Sequence, residues 1–334
     1  MQGLNEIDTG RLFEPIALAK RVALAVSGGP DSLALMLLAH SWKIAHGGPD
    51  LVVYTIDHRL RPEAADEAAM VVAEARKLDL DARVLVWEGE KPETGIQAAA
   101  RKARYRLMAD AMGEDGAEFA LTAHHLGDQA ETILMRLAHG SGVEGLRGID
   151  RFAQIEGCRV FRPLLGFDPQ ELMQLVKDRG LTPASDPSNS DRHYERVRWR
   201  QMMPKLAELG LDLGRFATFG ARMADADDLI GLEADRAFAA LVYSLDESAE
   251  LPHAGLSALP RAVGVRLLVK VLRAVGGDRK PHALKAVEAL HSRLGARVSL
   301  RPATLHGCVV ASDGVTISVV RERARRDASL LISN

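Results

Sequence analysis

Apolar residues recur along the first 125 positions in short runs, and glycine or polar residues mark the point where each run ends. Four of these runs predict β-strands, at residues 22–26, 51–56, 82–87 and 119–123. The segments between them carry apolar residues at helical spacing among good helix formers, and this predicts three helices. The predicted helices cover residues 32–45, 62–78 and 96–112. Strands that alternate with helices indicate an α/β fold, a doubly wound and mostly parallel sheet with helices on both faces.

The loops that follow the predicted strands are the places to look for a site. Parallel strands bring their carboxyl ends to one edge of a sheet, and folds of this kind bind their ligands there. The loops concerned are residues 27–32, 57–61, 88–95 and 124–132.

The pattern changes near residue 205, where helical periodicity replaces the alternation of strands and helices. Helices are predicted at residues 205–212, 215–244, 256–275 and 281–293, with breaks such as Glu250–His253 between them. Residues 297–320 then alternate as a strand does. We therefore predict an N-terminal domain at 1–204 and a smaller, mostly helical C-terminal domain with a short β element at 205–334.

Composition narrows the class of protein. The chain of 334 residues has no apolar run long enough to span a membrane and no leader-like start, so we expect a cytoplasmic protein. Its two cysteines, Cys158 and Cys308, form no disulfide framework or metal-ligand cluster. The net charge of −2 hides an asymmetry, because residues 251–334 carry 14 Lys and Arg against 5 Asp and Glu. The basic C-terminal part is thus the candidate contact for a polyanion, and a solvated basic face is the alternative.

The first predicted strand runs into an unusual turn, Ser27-Gly28-Gly29-Pro30-Asp31-Ser32. A strand, a glycine-rich turn and a helix together direct backbone N–H groups at an anion, so the turn predicts a phosphate site. Asp31 would repel phosphate unless a cation lies between them, and Mg²⁺ would fill that role. A capped turn without a ligand is the alternative for these six residues alone.

Several motifs occur together with this turn and in a fixed order. They are SGGPDS (27–32), IDHRLRPEAADEA (56–68), AARKARYRLM (99–108), TAHHLGDQAETILMRL (122–137), GSGVEGLRGI (140–149), FRPLL (161–165) and DPSNSDRHYERVRWR (186–200). The turn resembles the loop of the ATP pyrophosphatases, and the ordered set resembles the tRNA(Ile)-lysidine synthases. The resemblance implies that lysine is attached to the wobble cytidine of the minor isoleucine tRNA with a CAU anticodon. Its implied steps are adenylation of the cytidine by ATP, release of pyrophosphate, and displacement of AMP by the lysine amine.

The resemblance also implies roles for single residues. Residues 27–32 would bind ATP, with His58 and Arg61 lining the nucleotide pocket and Asp31 acting through Mg²⁺. Arg101 would stabilise phosphate charge, and Asp128 and Glu131 would face the amino groups of free L-lysine. The lysine amine must lose a proton before it attacks, and His124 or His125 is the nearest candidate base. From the residues alone, a solvated arginine stripe at 101 and 104 and a helix-capping cluster at 124–131 remain open.

The segment Arg196-Val197-Arg198-Trp199-Arg200 predicts contact with tRNA. Three arginines around an aromatic residue suit phosphate contacts and stacking on a base, although burial of Trp199 between domains is the alternative. The chain departs from the usual family pattern at Gly127, His139, Val197 and His306. Other classes stay open too: a tRNA thiolase, which the shortage of cysteines disfavours, and an RNA-binding module without catalysis. Oligomeric state is not decided by the sequence, and a homodimer is one of the options.

Overall fold

In the computed structural model, the structure describes residues 7–184, 193–245, 247–277, 284–296 and 299–322. Within these residues, six strands form one sheet in the order β3-β2-β1-β4-β6-β5. All neighbours in it are parallel except β5 and β6. The strands are β1 Arg21–Ala25, β2 Asp50–Asp57, β3 Asp81–Val86, β4 Phe119–Leu121, β5 Phe152–Ile155 and β6 Cys158–Phe161. The predicted doubly wound α/β fold is confirmed, and the hairpin β5–β6 is the part that the apolar pattern did not predict.

Helices cover both faces of this sheet because its strands are apolar on both sides. Val22, Leu24 and Val53 pack on one face, whereas the intervening residues Ala23 and Tyr54 pack on the other. The helices that belong with the sheet are α1 Thr9–Phe13, α2 Pro30–His46, α3 Ala64–Lys77, α4 Ile96–Asp115, α5 Leu126–Ala138 and α7 Pro169–Asp178. Helices α2, α3 and α7 contribute to the first core, and α4 contributes to the second.

Helix α8, Glu195–Glu208, begins ten residues before the predicted helix 205–212 and includes the whole arginine segment. Its residues Trp199, Met203 and Leu206 pack on Ala130, Ile133 and Leu134 of α5 and on Phe216. The helix also contains Pro204, which interrupts its backbone hydrogen bonding. The charged sequence hid this helix, because only a narrow stripe of it is apolar.

The remaining helices are α6 Val143–Leu146, α9 Leu213–Leu241, α10 His253–Ala258, α11 Arg261–Gly276 and α12 Leu284–Ala296. Five described strands form an antiparallel sheet in the order β7-β8-β11-β10-β9. They are β7 Tyr243–Leu245, β8 Ser248–Pro252, β9 Leu300–Leu305, β10 Cys308–Ser312 and β11 Thr316–Arg321. Glu250–His253, which was predicted as a break between helices, contains the end of β8, and this strand pairs with β11. The predicted helical C-terminal region with a short β element is confirmed.

The chain divides into two compact units. The first comprises Met1–His139 and Arg147–Ala221, and the second comprises Gly140–Leu146 and Arg222–Asn334. Each unit has its own apolar core. The boundary at residue 204 stays a prediction. Among the described helices, none combines the length and the apolar character that are needed to cross a membrane.

Candidate active site

The glycine-rich turn lies between the end of β1 and the start of α2, as the sequence predicted. Gly28 has φ +84°, a conformation that favours glycine. The hydroxyl of Ser32 accepts from the backbone N–H of Ser27 at 3.1 Å and donates to the carbonyl of Gly29 at 2.9 Å. Pro30 is the first residue of α2, where its missing N–H costs nothing. Hydrogen bonds within the turn therefore stabilise its conformation, and a 17-residue helix begins directly after Gly29.

This turn forms one wall of a cavity of about 430 Å³ at the carboxyl edge of the sheet. Its other walls come from the end of β2, the first turns of α3, one face of α4 and the residues after β4. The lining includes Ser27, Gly29, Asp31, Ser32, Thr55, Ile56, His58, Leu60, Arg61, Glu67, Arg104, Tyr105, Thr122, His124 and Asp128. Most of the residues that the sequence singled out for ATP binding thus share one cavity. The volume lies in the range of small-molecule sites.

His58 and Arg61 both line this cavity, but their surroundings differ. His58 Nε2 lies 3.4 Å from the guanidinium of Arg104, and its ring meets the ring of Trp87 edge-on. Burial, together with the charge of Arg104, lowers the pKa of His58 to about 4, so the ring is neutral at neutral pH. Arg61 donates to both oxygens of Glu67, at 3.1 and 2.8 Å. A part of its charge is therefore already neutralised.

The two arginines of α4 take different positions. Arg104 lines the cavity, whereas Arg101 places its guanidinium over the ring of Tyr105, 5.1 Å from the centroid. The role of Arg101 in stabilising phosphate charge stays a prediction. The sequence placed both residues on one helical face and selected Arg101 by resemblance. The two arginines differ because Arg104 lies next to the buried Tyr105 on the side of α4 that lines the cavity, and a single sequence does not show which side that is.

His124 lies against the cavity just after β4. Its Nδ1 is 2.9 Å from the hydroxyl of Thr122. Burial lowers the pKa of His124 to about 4, helped by the charges of Arg162, Arg196 and Arg101 and opposed by that of Asp128. The imidazole is therefore unprotonated at neutral pH and has a lone pair that can accept a proton.

His125 caps the N-terminus of α5. Its Nδ1 accepts from the N–H of Gly127 at 3.0 Å, and the carboxylate of Asp128 accepts from the N–H of His125 at 3.0 Å. His125 and Asp128 thus form a capping box, and His125 Nε2 lies 3.6 Å from both Asp31 and Asp128. The role of Asp128 in binding lysine stays a prediction. The bond from Gly127 uses only backbone, so the departure at this position leaves the cap intact.

The lysine-binding candidates and two of the tRNA-binding candidates lie in direct contact. Arg196 donates to Asp128 at 2.9 Å and to Glu131 at 2.6 Å, and Arg200 donates to Glu131 at 2.7 Å. The side chain of Glu131 is only 2% exposed. Burial raises the pKa of Asp128, but the charges of His125 and Arg196 outweigh it and lower that pKa below its usual value. The sequence assigned these residues to two different ligands, and the structure brings them together.

The rest of the arginine segment faces elsewhere. Arg198 is exposed and donates to the carbonyl of His193 at 3.0 Å. Trp199 packs in the core between α5 and α8, and its indole nitrogen donates to Glu195 at 3.3 Å. Val197 is buried in the same helix, which accounts for an apolar residue at this departure from the family pattern. Stacking of Trp199 on a base therefore has less support than packing.

Arg162, in the FRPLL motif, is a buried cation whose charge acts on His124, and it was not singled out from the sequence. It follows the last residue of β6, is 3% exposed, and donates from its guanidinium group to the carbonyl of Asp150 at 2.6 Å. In the part of the chain that the structure describes, its Nε has no hydrogen-bond partner. Its positive charge is one of the causes that lower the pKa of His124. The signal that could have found it is the motif itself.

In the second unit, basic residues that were predicted to contact tRNA are paired with acids. Arg266 contacts Asp227 and Glu144, Lys270 contacts Asp235, and Arg261 lies 3.2 Å from Glu288. Arg279, Lys280 and the basic residues after 322 lie outside the described residues. His306, another departure from the family pattern, takes φ +54° and bonds to the carbonyl of Gly277.

Comparison with known proteins is consistent with this geometry. The PP-loop domain family matches residues 4–206. The tRNA(Ile)-lysidine synthase of Rhodopseudomonas palustris is 41% identical over 338 residues, and the alignment covers 97% of each chain. The tRNA(Ile)-lysidine synthase of Bradyrhizobium sp. BTAi1 is 40% identical and covers 97% of this chain and 96% of that one.

A solved structure shares the fold. It is the U34-tRNA thiolase NcsA of Methanococcus maripaludis with its [4Fe-4S] cluster, with a TM-score of 0.56 at 15% sequence identity. The match covers 65% of this chain and 79% of that one. In this chain Cys158 and Cys308 are both buried and lie in the cores of different units. The comparison therefore concerns the fold alone.

Proposed function

Because the chain belongs to the tRNA(Ile)-lysidine synthase family, we propose that it ligates L-lysine to the wobble cytidine of the isoleucine tRNA with a CAU anticodon. The reaction consumes ATP and releases AMP and pyrophosphate, and it takes place in the cytoplasm, where its tRNA is found. The supporting observation is a single cavity that is lined both by the glycine-rich turn and by His124 and Asp128.

ATP binds with its phosphates at the glycine-rich turn. The start of α2 offers backbone N–H groups and the positive end of a helix dipole. The adenine and ribose then lie toward His58 and the residues around it. The cytidine carbonyl oxygen attacks the α-phosphate, pyrophosphate leaves, and the base becomes activated for attack by the amine.

The residues also suit Mg²⁺. Mg²⁺ in nucleotide sites is held by one or two carboxylates together with phosphate oxygens and water. Asp31 lines the cavity at the start of α2, beside the phosphate-binding turn, and its side chain is one-third exposed. Asp31 would hold the ion, which would neutralise the charge of the polyphosphate.

Lysine presents its amino groups to Asp128 and Glu131, and the attacking amine must be neutral. We assign the proton acceptor to His124 because it lines the same cavity. Its pKa of about 4 makes it a weak base in the free protein, so the negative charge of bound ATP must raise that pKa before His124 can take the proton. In the second step the amine attacks the activated carbon, AMP leaves and the proton passes to the base.

One incubation tests this proposal. The protein is mixed with ATP, Mg²⁺, lysine and a CAU-anticodon isoleucine tRNA transcript, and the wobble nucleotide is examined by mass spectrometry. We expect a lysine adduct together with AMP and pyrophosphate. Asp31→Ala should lose pyrophosphate release while remaining folded. Asp66→Ala, which removes an exposed acid from the first turn of α3, is the matched control and should stay active.

The outcomes separate the classes of function. Pyrophosphate release without a lysine adduct would indicate a different ATP-dependent tRNA modifier, such as a thiolase. Binding of tRNA without AMP formation would indicate an RNA-binding module. Unchanged turnover in Asp31→Ala would refute the role of Asp31. Light scattering on the same sample measures whether the protein is a homodimer.

A further inference from the structure

The β5 side of the six-stranded sheet carries aromatic rings and arginines in contact with one another. The rings of Phe152 and Phe161 stack with their centroids 4.7 Å apart, and Phe119 meets Phe152 edge-on at 6.1 Å. The guanidinium of Arg159 lies over the Phe119 ring, 4.3 Å from its centroid, and that of Arg151 lies over the Phe161 ring at 5.2 Å. These five side chains form one continuous surface, which we call the aromatic–arginine patch.

The outer part of this patch is open to solvent. Phe161 is buried and belongs to the core that includes residues of α2 and α7. Phe152 begins β5, the last strand of the sheet, and is 44% exposed. Because Phe161 covers one face of the Phe152 ring, the exposed area belongs to the other face and the edge. A further flat ring can therefore stack on Phe152 from solvent.

The patch is also positively charged. Arg151 and Arg159 are exposed, and in the described parts of the chain neither forms an ion pair with an acid. The nearby acids have other partners, since Glu118 accepts from a backbone N–H at 2.7 Å and Glu156 lies 4.0 Å from Lys102. Two cations without acidic partners beside an exposed aromatic ring favour a ligand that combines negative charge with flat rings.

The patch begins at the edge of the sheet where the cavity lies. Phe161 ends β6, and its carbonyl accepts from the N–H of Thr122, which lines the cavity. Strand β5 runs antiparallel to β6, so Phe152 lies opposite Phe161 at this same edge. Two strand spacings, about 10 Å, separate β4 from β5. An RNA loop that places one nucleotide in the cavity can therefore reach the patch with another.

We propose that the aromatic–arginine patch binds the anticodon loop of the tRNA. An unpaired base stacks on Phe152, and Arg151 and Arg159 contact the phosphates on either side of it. The inference rests on the proposed function, because it takes tRNA as the substrate, and it adds a binding surface outside the cavity. Unpaired bases of RNA loops stack on exposed aromatic side chains in this way. A second copy of the chain fits less well, since a two-fold contact would bring the same arginines together.

Photocrosslinking tests the contact in the wild-type protein. The CAU-anticodon isoleucine tRNA is assembled by ligation so that one unpaired position of its anticodon loop carries iodouridine. The full-length protein is irradiated with each such tRNA in turn, and the adducts are located by mass spectrometry. Iodouracil couples to an aromatic ring that lies against it, so at least one position should yield an adduct on Phe152. Adducts on other residues only, or on none, would overturn the inference.

Substitutions measure how much the patch contributes to affinity. Phe152→Leu keeps an apolar side chain but removes the ring, and it should weaken tRNA binding by about fivefold to a hundredfold. Phe152→Trp keeps a ring and should bind as tightly as the wild type. Arg159→Gln should flatten the salt dependence of binding by about 0.7 in a log–log plot. Val84→Ala is the matched control, because it shortens a similarly exposed apolar residue on β3, at the opposite edge of the sheet. All four variants should bind ATP normally.

Two parallel measurements separate the outcomes. If Phe152→Leu changes the oligomeric state in light scattering but leaves tRNA affinity unaltered, the patch joins copies of the chain and the inference is overturned. Lysidine formation is measured with the wild-type protein. If lysidine forms while Phe152→Leu and Arg159→Gln bind tRNA as the wild type does, the patch fails and the proposed function stands. If both variants lose tRNA affinity but no lysidine forms, the patch stands and the function fails.

Discussion

Gly28 and Gly29 are neighbours in the glycine-rich turn, but the structure predicts different responses to alanine. Gly28 has φ +84°, and a Cβ there would lie 3.0 Å from Met70 Cε and 3.4 Å from Ala184 Cβ. Gly29 has φ −70° and ψ 162°, which any residue adopts, and its Cβ would meet only Ser27 Oγ at 3.7 Å. The two substitutions add the same methyl group to the same turn, so each controls for the other.

The expected magnitude follows from these angles. A residue with a side chain pays about 1–2 kcal/mol to adopt a left-handed conformation. Met70 Cε is the end of a flexible side chain and can move aside, so the contact adds little. Gly28→Ala should therefore lower the free energy of unfolding by roughly 1–2 kcal/mol, with a decrease in Tm of about 2–4 °C for each kcal/mol. Gly29→Ala should stay within about 0.5 kcal/mol of the wild type or gain slightly from lower chain entropy.

Urea unfolding followed by circular dichroism measures both free energies, and calorimetry measures Tm. Pyrophosphate release in the presence of tRNA shows whether the distorted turn still uses ATP, and Gly28→Ala should lose this activity. Equal stability of the two variants would refute the argument from backbone conformation. A destabilised Gly29→Ala with an unaffected Gly28→Ala would reverse it.

Three further predictions concern the cavity and the arginine segment. Arg104→Ala should weaken ATP binding more than Arg101→Ala, by about tenfold to a hundredfold in calorimetric titration, because only Arg104 lines the cavity. The pKa of His58 is lowered to about 4, so between about pH 4 and 6.5 the unfolded chain binds more protons than the folded one, and the free energy of unfolding falls as the pH drops through that window. In urea unfolding, His58→Gln should reduce this dependence on pH by less than about 1.4 kcal/mol per pH unit. Arg198→Ala should reduce the salt dependence of tRNA binding by about 0.7–0.9 in a log–log plot, since Arg198 is exposed; an unchanged slope would place the phosphates elsewhere.

Strong local signals made much of the fold predictable. The first four strands and the three helices between them alternate in a simple pattern, and the glycines of the turn at 27–32 mark the sheet edge where ligands bind. The hairpin β5–β6 and strand β8 were not predicted, because such short strands depend on pairing with distant segments. The start of helix α8 was predicted ten residues too far along the chain for a related reason. Its charged residues are paired with partners on another helix, and a sequence pattern does not show pairing.

Contacts between distant segments also limited how much of the candidate site could be predicted from the sequence. The glycine-rich turn itself pointed to Asp31, and the family resemblance pointed to His58, His124 and Asp128; all four line one cavity. Spacing did not show that Arg196 and Arg200 contact Asp128 and Glu131 across more than 60 positions of sequence. It also did not separate Arg104 from Arg101, since this depends on which side of α4 is covered.

Pro204 has a mechanical consequence for α8. A proline inside a helix donates no hydrogen bond, and its ring crowds the carbonyl four residues earlier, which here is the carbonyl of Arg200. The backbone is thus weakest at the residue that holds Glu131, while the apolar stripe on both sides of it stays anchored on α5. Helix α8 can therefore bend at this point at a lower cost in free energy than an uninterrupted helix. Amide hydrogen exchange should therefore be faster around Arg200 than in the middle of α5.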